Sequence, residues 1–260
     1  MDLIETHCHL DVADFDSDRT EVLARTRACG VRRLVIPAVD AAHWDSLLTL
    51  CRQQHGLYPA LGLHPVYLEQ HRPEDVEELE TAIDRERPVA VGEIGLDFFL
   101  AGLDRERQQQ LFEAQLAVAR NADLPVILHA RKSHDRVLAA LRRIGVRGGI
   151  AHAFNGSLQQ AQLYLELGFK LGFGGTLTYP RSSRIRSLAK ALPIEAMVLE
   201  TDAPDMTVAA HRGERNSPEY LPDCLQALAE VRDQDPALLA EHTTRNACAV
   251  LCLEEAPGVA

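Results

Sequence analysis

Apolar residues along this chain fall into short unbroken runs rich in Val, Ile and Leu, and each run gives way to a longer charged stretch with apolar positions at helical spacing. An unbroken apolar run reads as a strand buried on both faces, and the stretch behind it as an amphipathic helix. The strands are expected at Leu3 to His9, Arg33 to Val39, Tyr58 to His64, Val89 to Asp97, Val126 to Arg131, Gly149 to Phe154, Lys170 to Thr176 and Met197 to Asp202. Helices are expected over Asp18 to Ala28, Ala42 to Gln54, Glu74 to Arg85, Arg105 to Ala122, Ser133 to Ile144, Leu158 to Leu167 and Ser183 to Ala191, with two more at Pro218 to Arg232 and Pro236 to Leu251. Strands alternating with helices build a parallel sheet, and eight such units close into a (β/α)₈ barrel of the α/β class. An open doubly wound sheet is the competing arrangement. The lack of a G-x-G-x-x-G behind any strand weighs against it. No linker, repeat or break in composition divides residues 1–260, which are expected to form one domain.

Polar residues interrupt this pattern in one place on each of several strands. His7 and His9 close strand one, His64 strand three, Glu93 and Asp97 strand four, His129 strand five, His152 strand six and Asp202 strand eight. These are carboxyl ends, the face of a parallel barrel on which active sites are built. Residues two apart on a strand share a face, so His7 and His9 point inward while Cys8 turns outward. By the same parity Glu5 and Glu200 lie one layer deeper, and Gly172 and Gly174 in "KLGFGG" leave space on strand seven.

Imidazole and carboxylate together suit Zn²⁺ or Mn²⁺, whereas Mg²⁺ favours oxygen ligands and water. No cysteine has the position to join, which argues against a structural zinc site. His7, His9, Glu93, His129, His152 and Asp202 are too many ligands for one tetrahedral ion, and two divalent ions about 3.5–4 Å apart account for them better. Glu93 is the expected bridge. Asp202 is expected to bind one ion and accept the proton of an attacking water, which a divalent ion makes acidic enough to ionise near neutral pH. H-x-H alone is a weak signal, more often a solvated or core pair than a metal pair; its recurrence with ligand types at later strand ends gives it weight. His64 in "GLHP" is a candidate to line the site. Arg131 and Arg215 are candidates for a substrate phosphate and Phe99 for stacking on a base, against the ordinary alternatives of solvated arginines and a packed aromatic. His43, His55, His71, His134, His211 and His242 fall in helices or loops and are expected to face solvent.

Composition narrows the function. The net charge of -11 argues against holding duplex nucleic acid through a broad basic surface. It does not argue against a nuclease, since two divalent ions dominate the local potential. Six cysteines without a C-x-x-C pair read as small buried apolar residues of a reducing compartment, Cys248 and Cys252 among them. The opening "MDLIE" has neither a basic start nor an apolar signal core, and no apolar run approaches the roughly 18 residues of a membrane span. A cytoplasmic monomer is expected.

The motifs "ETHCHLD", "ALGLHP", "AVGEIGLDF", "ERQQQLFEAQLAVARNADLPVILHAR", "HAFNGS", "LGFGGTLTYPR" and "LETDAPD" together resemble the TatD family of metal-dependent hydrolases and deoxyribonucleases, from residue 3 to about residue 252. "GGTLTYPR" and "ETDAPDM" look closest to its YjjV-like branch. The resemblance implies a (β/α)₈ barrel with His7, His9, Glu93 and Asp202 around one ion and Glu93, His129 and His152 around the other. It also implies phosphodiester hydrolysis with Mg²⁺ or another divalent ion, and 3′-to-5′ exonuclease action on single-stranded DNA or free ends. A small phosphodiester is a further substrate class, and an amidohydrolase acting on a C–N or ester bond is the alternative activity. The chain departs from the family pattern at Glu5, where many members carry Asp, and at Asn155, where Ser or Thr is usual.

Overall fold

The computed structural model describes residues 2–254. Eight parallel strands stand in chain order around one sheet: β1 (Leu3–Glu5), β2 (Val31–Pro37), β3 (Leu57–Leu61), β4 (Ala90–Asp97), β5 (Val126–Arg131), β6 (Gly149–Ala151), β7 (Phe169–Phe173) and β8 (Met197–Leu199). The ring closes just beyond β1 and β8. There the Thr6 N–H donates to Leu199 O at 3.1 Å, the Asp202 N–H to His7 O at 2.9 Å and the His9 N–H to Ala203 O at 2.8 Å. The α/β barrel expected from the strand–helix alternation is the fold.

Seven helices follow the first seven strands in turn: α1 (Arg19–Ala28), α2 (Trp44–Gln53), α3 (Asp75–Glu86), α4 (Arg105–Asn121), α5 (His134–Ile144), α6 (Leu158–Glu166) and α7 (Ser183–Ala191). Two more, α8 (Leu221–Arg232) and α9 (Pro236–Leu251), follow β8. Side-chain caps start several of them. Asp104 accepts the Glu106 and Arg107 amides ahead of α4, and Ser157 with Gln160 forms a capping box on α6.

Alternation along the strands divides the core in two. Leu34, Ile36, Leu61, Val91, Leu128, Leu171 and Leu199 pack outward with the helices. Ile4, Val35, Ala60, Ala90, Ile127, Ile150 and Val198, one from each of seven strands, form a separate ring that is the barrel floor, and Ala247, Cys248 and Leu251 of α9 cover it. Between Val91 and Ile94 the register of β4 against β5 shifts. That shift brings Glu93 inward although it lies an odd number of residues from Ala90, where plain alternation would have turned it out.

Several strands end earlier than the apolar runs: β1 at Glu5 instead of His9, β3 at Leu61 instead of His64, β6 at Ala151 instead of Phe154, β7 at Phe173 instead of Thr176 and β8 at Leu199 instead of Asp202. Residues just beyond still hydrogen-bond to a neighbouring strand, as in Cys8 N–H to Val35 O and His152 N–H to Leu128 O. The backbone then turns out of the ladder. Asp202 (φ 61) and Ala153 (φ 42) take the left-handed conformation, which Asp tolerates better than most residues. Cys8, Cys224 and Cys248 are buried as expected, but Cys252, at the left-handed end of α9, is exposed, as is Cys29.

Candidate metal centre

Glu93 is the hub of the polar cluster at the barrel mouth. Its Oε2 lies 3.1 Å from His7 Nε2 and 3.5 Å from His9 Nε2, while Oε1 lies 3.0 Å from His129 Nδ1 and 3.3 Å from His64 Nε2. One carboxylate thus turns its two oxygens to two different sets of imidazoles. Asp202 stands on the far side, with Oδ1 at 3.6 and 3.8 Å from His7 and His9 and Oδ2 at 3.5 Å from His152 Nε2. The His7 and His152 rings stack with centroids 3.7 Å apart.

Acceptors behind His9 and His129 decide which nitrogen of each carries the proton. His9 donates its Nδ1–H to the Pro37 carbonyl at 3.0 Å, and His129 donates its Nε2–H to Asp97 Oδ2 at 3.0 Å. Glu200 Oε1 sits 2.9 Å from His152 Nδ1. A histidine whose far nitrogen is held in this way turns a lone pair toward the centre, the arrangement of metal-binding imidazoles. Asp97 is itself fixed. Its Oδ1 accepts the Phe99 and Leu100 amides, and the buried Gln108 on α4 bonds both backbone groups of Asp97. Burial pushes the Asp97 carboxyl up, but His129 and these amides more than offset that and hold it at about 2.

These contacts test whether a cation fits. The His9 Nε2 and His129 Nδ1 lone pairs face the oxygens of Glu93, and acceptor against acceptor is repulsive unless positive charge lies between. Without a metal only protons can supply it. Burial alone would lower both histidines, yet Glu93 beside His9, and Asp97 together with Glu93 beside His129, override that and raise them to about 9. The donor set is nitrogen and oxygen alone, since Cys8 points into the apolar core. Ligand atoms within 4.8 Å of one another define three compact sets among the described residues: His7, His9 and Asp202; His7, Glu93 and His152; and His64, Glu93 and His129. The residues fit divalent cations.

The structure therefore brings His7, His9, Glu93, His129, His152 and Asp202 together, along with His64. Among the compact sets His152 falls with His7 and Glu93, and none pairs it with His129. Stacking against His7 and the Glu200 contact hold His152 on the Asp202 side. Deeper in the barrel, Glu5 Oε1 accepts the His7 and Thr201 amides, and burial raises the Glu5 carboxyl to about 8. The space expected on strand seven belongs to Glu200, because a Cβ on Gly172 would fall 2.1 Å from its Oε2.

The substrate-contact candidates separate. Phe99 is 49% exposed, with the Arg131 guanidinium 3.8 Å and the Lys132 ammonium 4.7 Å from its ring centroid. Neither cation is paired with a carboxylate among the described residues. Arg215 is committed elsewhere: it forms two bonds to Asp18, a third to Asp14 O, and covers Phe15. It ties the segment after β8 to the start of α1 and makes no hydrogen bond to the cluster, so its expected substrate role gives way to a structural one. His71 and His134, expected at the surface, are buried. His71 donates to the His64 carbonyl at 2.8 Å, while His134 bonds Tyr164 and Asn155, which gives Asn155 a place in the loop behind His152. Gln108 and Gln115 carried no functional expectation. Their signal was a seven-residue spacing that puts two polar groups on the buried face of α4 beside Phe112.

A family model described as TatD related DNase matches residues 4–252. The uncharacterized metal-dependent hydrolase YjjV of Escherichia coli K12 is 43% identical over 94% of this chain and 95% of its own. The crystal structure of that TatD homolog superposes with a TM-score of 0.92 at 41% identity, covering 95% of this chain and 97% of its own. The 3′-5′ ssDNA/RNA exonuclease TatD of Salmonella typhimurium is 32% identical over 92% of this chain and 95% of its own. The higher identity to YjjV agrees with the branch indicated by the motifs.

Proposed function

The chain belongs to the TatD-related DNase family of metal-dependent hydrolases, and from that premise we propose that it is a phosphodiesterase that removes nucleotides from the 3′ end of single-stranded nucleic acid at a centre of two divalent ions. The observation that carries this reading is Glu93, whose two oxygens face separate histidine sets across a few ångströms. A bridging carboxylate in a nitrogen and oxygen cage is what a pair of ions requires.

When bound, such ions polarise a phosphoryl oxygen and supply a water acidic enough to attack at neutral pH. His7, His9 and Asp202 would hold one ion and His129 the other, with Glu93 between and His152 beside His7. Asp202 is the carboxylate suited to take the proton of the attacking water. Its side chain keeps 16% exposure against 2% for Glu93, so it alone of the two meets solvent. Arg131 and Lys132 would meet a backbone phosphate, and the open Phe99 ring a base. The name of the Salmonella relative supports a single-stranded substrate.

The test is protein stripped of metal and reloaded with Mg²⁺, Mn²⁺ or Zn²⁺, incubated with end-labelled single-stranded DNA. We expect stepwise shortening from the 3′ end that a chelator stops and that Glu93→Ala and Asp202→Ala each reduce by at least about 1,000-fold. Shortening at the parent rate by both variants would sink the assignment. Turnover of a small amide or ester in place of DNA would move it to the amidohydrolase activity.

A further inference from the structure

His64 lies close enough to Glu93 and His129 to complete a three-ligand set, so distance alone would make it a ligand. Its hydrogen bonds say otherwise. The Val66 amide donates to His64 Nδ1 at 3.2 Å, so that nitrogen offers its lone pair to the backbone and the ring proton belongs on Nε2. His9 and His129 are held the opposite way, donating from the far nitrogen and turning a lone pair inward. To bind an ion through Nε2, His64 would have to move its proton to Nδ1 and set N–H against N–H at Val66.

The backbone that carries this ring is pinned on every side. The His64 N–H donates to Val39 O at 2.9 Å, and its carbonyl receives His71 Nε2–H and the Tyr67 amide. One residue earlier, the buried Gln115 on α4 accepts the Leu63 N–H and donates to the Leu63 carbonyl. The ring itself is buried and lies edge-on to His129, with centroids 4.6 Å apart. Each backbone group and Nδ1 is accounted for. Nε2–H is the one group left, 3.3 Å from Glu93 Oε1.

We infer that His64 is a locked N–H donor facing the Glu93 and His129 side of the centre, placed to bind an anionic oxygen of the substrate, and not a metal ligand. This rests on the hydrolase reading above for the substrate, while the donor assignment rests on the tautomer alone. Such a donor acts most where charge grows during reaction, and losing one typically lowers kcat about 100-fold. A ligand, by contrast, is felt first in metal content.

Two measurements decide it. In protein labelled with ¹⁵N-histidine and loaded with ¹¹³Cd²⁺, we expect His64 to show a protonated Nε2 and no coupling to cadmium, while His7, His9, His129 and His152 couple. In parallel, His64→Ala and His64→Gln are reloaded with Zn²⁺, dialysed and assayed for metal. Both are expected to retain the parent's metal content, with kcat on single-stranded DNA about 100-fold lower in His64→Ala and largely restored in His64→Gln, whose amide N–H can replace the donor. Cadmium coupling to His64, or loss of an ion from either variant, overturns the proposal. So does an unchanged kcat in His64→Ala on a parent that cuts DNA. If the parent cuts no phosphodiester, the functional reading fails by itself, and the cadmium and metal-content results still decide the role of His64.

Discussion

The Asp97→Asn exchange keeps the shape of the carboxylate and replaces one acceptor oxygen by an N–H. Oδ1 would stay on the Phe99 and Leu100 amides, so the new N–H faces His129 Nε2. Two donors cannot share that contact. The imidazole would move its proton to Nδ1 and lose the lone pair it turns toward Glu93. We expect metal affinity to fall about 10- to 100-fold with little change in unfolding midpoint of the metal-free protein, read by titration calorimetry and thermal melts. Unchanged affinity would mean that His129 does not depend on Asp97. At this scale the sequence carried the side chains that gather at the barrel mouth, since His and Glu or Asp at strand ends are visible without coordinates. It did not carry the tautomers. Those depend on Pro37 O, Val66 N and Asp97, and nothing in residue type distinguishes His64 in "GLHP" from the histidines that turn a lone pair inward.

Helix α4 works as a splint for two neighbouring strands. Gln115 bonds both backbone groups of Leu63, just past β3, and Gln108 bonds both of Asp97, at the end of β4. Backbone groups leaving a sheet have lost their ladder partners, and a buried amide side chain, donor and acceptor in one, replaces both at once. In Gln108→Leu, two buried groups at Asp97 would go unsatisfied at about 1–3 kcal/mol each. We expect denaturant unfolding to record a loss of that order, together with weaker metal binding through the freed Asp97. A variant as stable as its parent would show that water or a shifted backbone replaces the glutamine. The eight strands and nine α-helices of the described residues were legible from apolar runs and helical spacing, with ends displaced where the chain turns toward the centre, whereas the short 3-10 turns such as Pro65–Gln70 were not. The glutamines were not, because polar residues on a charged helix read as solvent-facing until the opposite strand is known. The inward turn of Glu93 escaped plain alternation for a similar reason, since the register shift in β4 is a property of the pairing with β5.

The molecule as a whole is acidic, and its unpaired cations beside the centre are few. On the proposed function, binding of a substrate strand through Arg131, Lys132 and the ions is expected to depend only weakly on salt. With about two side-chain phosphate contacts, the slope of log affinity against log salt for single-stranded DNA is expected near -1 to -2 at constant metal concentration, measured by fluorescence anisotropy. A slope steeper than about -4 would require a broad basic surface that the described residues do not offer. The closure of the barrel has a consequence for when the enzyme becomes active. His7 and His9 are synthesised almost first, and Asp202, which hydrogen-bonds back to His7, some two hundred residues later. A chain still emerging from the ribosome thus holds half a cage with no opposite wall, and the centre is assembled only once its last strand is in place.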